Sequence, residues 1–318
     1  MRSTLTLCLL LASFAPAQEL RRGITDADVV VVGRQVGKTP HDENLVLHRV
    51  QVLHDVHGAA GNTAVTVLDW PKLALHQRPS PRQSRLYCLQ DASAVATRLG
   101  LPATSGPYYK MVGWAGSSPL IGAEIGNDAV VLFAQVLVRP SARAVDTAGE
   151  LCTIAVRGNT SVRTEAARFL TERGDLRATL GPAQWSDLIA RASGETDDVP
   201  YKIALAELCA AQRIEGLVET LAVGLGPVQD PEYARAVGRI AKALHGEEAA
   251  AQLEQRLVSL REPKDRAMVL LAIGATNTEA ALGLLLRLDG VLGKDPAVEA
   301  ALQEHKSPRA KEAVLRRK

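Results

Sequence analysis

The sequence predicts a multidomain β + α protein: a small antiparallel five-stranded barrel followed by an all-α stack of paired helices. Three observations carry this. Between residues 28 and 113 apolar residues alternate with period two or run in short β-branched blocks. From 128 onward they fall at helical spacing, i, i+4, i+7, i+8. Within that part the same stripe and the same helix-start signals recur every 32 to 39 residues. The expected organisation is a signal peptide over 1–17, a β-barrel over 18–114, a linker over 115–127 and a helical repeat domain over 128–318.

The first segment has a short positive start at Arg2, an apolar run Leu5–Phe14 and the small-residue site Ala15-Pro16-Ala17. These are the parts of a secretory signal, cleaved after Ala17, and the run is too short for a membrane span. The expectation is an exported protein, periplasmic or extracellular, beginning at Gln18. Cleavage removes Cys8 and leaves Cys88, Cys152 and Cys209. Their spacing fits no metal pattern, and buried thiols acting as small hydrophobes account for them, with a Cys152–Cys209 bridge as the alternative.

Five strands are expected. Asp28–Gly37 (DVVVVGRQVG) is a β-branched run. In Leu45–Asp55, Val46, His48, Val50, Val52 and His54 share one face, and Leu45, Leu47, Arg49, Gln51 and Leu53 the other. Gly58–Asn62 turns into the third strand, Thr63–Leu68; Ser84–Gln90 and Tyr108–Trp114 follow a Pro- and Arg-rich loop at Pro71–Ser84. The stretches Ala27–Val36, Leu45–Gly58, Ala64–Leu68 and Ser84–Leu89 make this part similar to the OB-like netrin/tissue-inhibitor module. That resemblance implies a small barrel. Inhibitor members of the family reach a protease zinc through an N-terminal Cys, and Gln18 stands at that place here, so inhibition does not carry over.

Gly113–Asp128 is rich in Gly and Ser, and Ala129–Val138 and Ala142–Val156 then open the helical half. Thr160–Gly174 (TSVRTEAARFLTERG) is its clearest unit, with Val162, Ala166, Phe169 and Leu170 in one stripe and Phe169 as the expected anchor. Equivalent positions are Val162, Tyr201, Tyr233, Arg266 and Val298, in steps of 39, 32, 33 and 32 residues. Gly181-Pro182, Asp230-Pro231, Glu262-Pro263, Asp295-Pro296 and Ser307-Pro308 mark helix starts. Partner helices carry Trp185/Leu188/Ile189, Leu217/Val218/Leu221, Leu253/Leu257/Leu260 and Leu282/Leu285/Leu286. The pattern resembles HEAT repeats, most clearly in SVRTEAARFL. The resemblance implies an α-solenoid with a binding or scaffold role and no particular ligand.

Composition narrows the function. With three Phe, five Tyr and three Trp the core is Ala, Leu and Val, which suits close-packed helices. A net charge of +2 predicts no strong attraction to nucleic acid or anionic membranes. The basic tail Lys306–Lys318 suits a helix C-terminal dipole. Gly33–Thr39 (GRQVGKT) imitates a phosphate-binding loop but has three residues where that motif needs four, so no nucleotide is expected. His41, His48, His54, His57 and His76 cluster in sequence, and exposed strand and loop positions explain them without a metal. No nucleophile elbow, paired-cysteine or zinc-protease pattern is present, so no catalytic residue, cofactor or metal site is assigned.

The resulting expectation is an exported, non-enzymatic binding or scaffold protein that engages a protein or cell-envelope partner through its repeats. On the helix Pro231–His245, Arg235, Arg239 and Lys242 form an i, i+4, i+7 ridge and are the expected partner-binding residues. The alternative is a metal-dependent enzyme or metal-binding protein assembled around the histidines of the β part.

Overall fold

The computed structural model describes residues 16–71, 79, 81–102, 107–112, 119–141, 143–194 and 198–316. The expected signal segment lies outside them as far as residue 15, as does most of the expected loop at 71–84. The five strands are β1 (Val29–Pro40), β2 (Val46–His57), β3 (Ala64–Asp69), β4 (Arg85–Asp91) and β5 (Tyr108–Met111). They close a barrel in the order β1-β2-β3-β5-β4. Four of the pairings are antiparallel, and β3 pairs β5 in parallel, with Thr66 opposite Tyr108. The expected all-antiparallel barrel is corrected at that one seam. The chain between β4 and β5 runs through a short helix, which returns β5 in the direction of β3.

The barrel interior is Val29, Val31, Val50, Val65, Val67, Tyr87, Leu89 and Tyr109, all buried. Alternation on β2 puts Val50 inside and leaves Arg49 and Gln51 exposed. β1 bends between Val32 and Gly33, where the register to β2 shifts. A side chain at Gly33 would meet Val50 Cγ1 at 2.5 Å, so only glycine lets the strands approach here. The motif GRQVGKT is therefore mid-strand: Lys38 pairs with His48 and Thr39 with Leu47.

Around the barrel lie α1 (Pro16–Thr25), α2 (Ser93–Arg98), α3 (Ala129–Val138) and α4 (Ala144–Arg157). Neither α1 nor α2 has a sequence period long enough to announce it. α2 buries Ala96 in a second apolar cluster with Leu45, Leu68 and Tyr108 on the outer side of the barrel. Asp128 starts α3 by accepting from Val130 N–H and also holds Gly122 N–H at 2.8 Å. α3 then packs on α1, β2 and α4. The chain divides into two compact units, 1–166 and 167–318, so the Gly-rich join near 115–127 leads from barrel to helices inside the first unit.

The remaining helices are α5 (Thr160–Glu172), α6 (Gly174–Arg177), α7 (Pro182–Ser193), α8 (Val199–Ala211), α9 (Leu217–Val223), α10 (Pro231–His245), α11 (Ala249–Ser259), α12 (Pro263–Thr276), α13 (Glu279–Leu292), α14 (Pro296–Glu304) and α15 (Pro308–Leu315). Asp198, Asp230, Asp295 and Ser307 cap α8, α10, α14 and α15 as the sequence signals require. In the second unit helices pair into two layers. α8, α10, α12 and α14 pack side by side, and α7, α9, α11 and α13 form the facing layer. Within the first layer the C-terminal ends are tied: Lys242 Nζ donates to Asn277 O (3.4 Å) and Asn277 Oδ1 accepts from Lys306 N–H (2.6 Å).

On α5 the stripe is partly corrected. Val162, Ala166, Ala167 and Leu170 are fully buried, and so is Glu165, which the sequence placed off the stripe. Phe169 is only half-buried and carries Arg173 over its ring at 5.8 Å. The burial arc is centred on Ala166–Ala167, about one position away from the expected axis, which moves the large ring to its flank.

Candidate functional site

In the first unit α3 and α4 border a groove of about 680 Å³ against β2. Its apolar floor includes Leu132, Val136 and Ile154. Polar groups rim it: His54 from β2, Gln135 and Arg139 from α3, Ser141 from the α3–α4 turn and Glu150 from α4. The elements explain these positions. Gln135 is the one polar residue of the run AVVLFAQVLV, and it meets the imidazole that β2 directs outward at its far end. Gln135 Nε2–H donates to His54 Nε2 at 3.1 Å, which leaves the proton of a neutral imidazole on Nδ1. Ser141 Oγ–H reaches Glu150 Oε1 at 3.5 Å. Arg139 ends α3, one turn beyond Gln135, and is exposed; its guanidinium makes no ion pair among the described residues.

The histidines do not gather. His48 is 2 % exposed, and its Nε2–H donates to the nearly buried Asp69 at 3.1 Å on the interior face. The expectation of exposed histidines fails there because His48 shares the inward face of β2 with Val50, two residues on. His54 stands six residues away, about 20 Å along an extended strand, and belongs to the groove. Among the described residues no group of three or more His, Cys, Asp or Glu side chains is arranged to hold a metal; His76 lies outside them. Cys88, Cys152 and Cys209 are buried thiols and none is in a disulfide, so the Cys152–Cys209 bridge is absent. Burial pushes the Cys88 thiol up to about 12.

The expected ridge on α10 is unevenly charged. Arg235 Nε–H donates to Glu304 at 2.8 Å and its Nη1–H to Glu232 at 2.6 Å, and these carboxylates, Glu304 first, raise its pKa further. Lys242 is turned to Asn277 O, and Arg239 is exposed. Sequence reasoning missed two features of the second unit. One is Lys202, fully buried: Nζ donates to Gly194 O (2.9 Å) and sits 4.6 Å from the centroid of the Tyr233 ring. Burial raises the Tyr233 phenol in turn.

The other is an aliphatic row. α11, α13 and α15 run parallel. At their starts Glu247 accepts from Ala280 N–H (3.2 Å), and Arg309 approaches Glu279 (3.8 Å). Towards the C-terminal ends Glu254 of α11 meets Arg287 of α13 at 3.8 Å. One turn beyond each of those partners stand Val258 and Val291, 86 % and 81 % exposed, and Leu315 ends α15 at 67 %. Val223 ends α9 in the same layer and is also exposed. No family model matches this chain, and neither a curated protein nor a solved structure matches it.

Proposed function

We propose that this chain is an exported, non-enzymatic binding protein that docks a protein partner along a HEAT-like helical repeat unit, with a netrin-like barrel at its N-terminal side. The row Val258, Val291 and Leu315 carries the reading. Folding gains nothing from leaving Val258 and Val291 this exposed, each one turn beyond the Glu254–Arg287 contact between neighbouring α11 and α13, and apolar residues grouped at a surface mark interaction sites. The rim decides the class of partner. Both signs are present: Glu254 of α11 meets Arg287 of α13 at 3.8 Å, one turn before the two valines. A mixed-sign rim around an aliphatic centre is the composition of a protein interface, whereas an anionic bilayer is repelled by the carboxylates. Arg239 on α10 adds a cation on another helix layer. Export is supported by Leu5–Phe14 and Ala15-Pro16-Ala17, and N-terminal sequencing of protein from the host's periplasm or medium is expected to begin at Gln18.

A photo-crosslinking residue at position 258 or 291, in the full chain expressed in its host, tests the docking surface. One discrete protein adduct is expected, lost when the probe at 258 is combined with Val291→Glu or the probe at 291 with Val258→Glu, and absent from a probe at exposed Lys38 of the barrel. Adducts equal at all three positions, or flotation with anionic vesicles that the Val258→Glu/Val291→Glu variant loses, overturns the reading.

A further inference from the structure

We propose that the groove between β2, α3 and α4 binds a zwitterionic small molecule with an aliphatic body, namely an α-amino acid or a dipeptide. The inference is independent of the repeat surface. It starts from opposite charges that share one groove and do not meet; Asp55, the third charged residue of the lining, accepts from Ala59 N–H at 3.2 Å. Arg139 and Glu150 both line it, yet no ion pair joins them and none joins Arg139 to any other described residue. Glu150 has only the long 3.5 Å contact from Ser141. Both side chains are exposed, so neither is needed by the fold; Glu150 stands on α4 and Arg139 directly follows α3, so packed helices hold both backbones at the groove. A ligand that carries a carboxylate and an ammonium completes both pairs at once. Arg139 offers the planar fork that suits a carboxylate, and Glu150 accepts from an ammonium.

The floor supplies the rest of the recognition. Leu132, Val136 and Ile154 present branched aliphatic surface with no aromatic ring, which selects an aliphatic side chain rather than a planar one. The space, about 680 Å³, falls within the ordinary range for small-ligand sites, about 300–1,000 Å³. It holds a dipeptide with room for water. At the β2 end Gln135 is fixed by His54, so its amide carbonyl is oriented rather than free to rotate, and it suits a peptide N–H. A dipeptide uses this contact and a single amino acid does not, which separates the two sources.

Calorimetric titration of the full chain with leucine, leucyl-leucine, N-acetyl-leucine and leucine amide tests this. Binding of leucine or leucyl-leucine is expected at about 10 mM or below. Each capped form is expected to bind at least about tenfold more weakly, the loss of one charge-assisted contact. Arg139→Gln is expected to equalise leucine amide and leucine, and Glu150→Gln to equalise N-acetyl-leucine and leucine. Gln135→Leu is expected to weaken leucyl-leucine and leave leucine unchanged. Thermal transitions of the two charge variants, expected to match the parent, show that the fold is intact. No heat from any ligand, or affinities indifferent to capping, overturns the proposal.

Discussion

Replacing Gly274 by alanine sets two effects of opposite sign against each other. Gly274 lies inside α12, and helix propensity alone predicts that alanine stabilises it by about 1 kcal/mol. The packing predicts the reverse. A Cβ at Gly274 would stand 2.3 Å from the carbonyl oxygen of Ala301 and 3.1 Å from its Cα, both backbone atoms of α14. A carbon–oxygen contact needs about another ångström, and a helix backbone cannot rotate away as a side chain does. Overpacking of this kind costs roughly 1–3 kcal/mol, and a rigid obstacle belongs at the upper end. Net of propensity, Gly274→Ala is expected to lose about 2 kcal/mol, which for a unit of about 150 residues lowers Tm by roughly 4–8 °C. Gly283 is the matched control. It is helical, exposed, in the neighbouring α13, and a Cβ there meets nothing within 4 Å. Gly283→Ala is therefore expected to raise stability by up to about 1 kcal/mol. Urea unfolding followed by far-ultraviolet circular dichroism reads both. A Gly274→Ala variant as stable as the parent, or equal losses at the two sites, refutes the close α12–α14 contact. The same geometry recurs at Gly238, where a Cβ would lie 2.2 Å from Ala272 O of α12.

Three further outcomes follow from burial. Phe169→Ala is expected to cost about 1–1.5 kcal/mol, because a half-buried ring surrenders about half of a full transfer term; a urea-derived loss of about 3–5 kcal/mol would restore it to the core. Lys202→Ala is expected to cost about 2–5 kcal/mol by orphaning the Gly194 carbonyl and opening a cavity, whereas Lys202→Met keeps the volume and is expected to lose clearly less; equal losses would show that the charge and not the packing dominates. The Cys88 thiol, pushed up to about 12 from 9.0, favours the neutral form in the folded state, so its contribution is complete below pH 9.0 and is lost as pH rises toward 12. Urea midpoints measured below and above pH 9.0 are expected to fall more in the parent than in Cys88→Ala, and a parallel fall would remove Cys88 as the cause.

What the sequence by itself determined is local. Period-two alternation placed β2, because burying one face of a strand demands it, and short apolar runs between turn signals placed the other four. Capping residues with Pro at the first helical position placed the starts of α10, α14 and α15, because orphan amides need an acceptor within three residues. Only the tertiary structure decided which partners those elements meet. The parallel β3–β5 seam depends on where the chain returns after α2. His48 is buried against Asp69 on the adjacent strand β3, and His54 meets Gln135 of α3, although the alternation puts both on one face of one strand. The stripe at Arg266, Leu270, Ile273 and Gly274 reads as a poor repeat in sequence, yet Gly274 is where α12 packs directly on the backbone of α14. Likewise Arg139 and Glu150 carry no pattern, and their meaning comes from facing one groove. Charge and small size signal nothing along a chain, because their energetics depend on the distance to atoms that sequence neighbours do not supply.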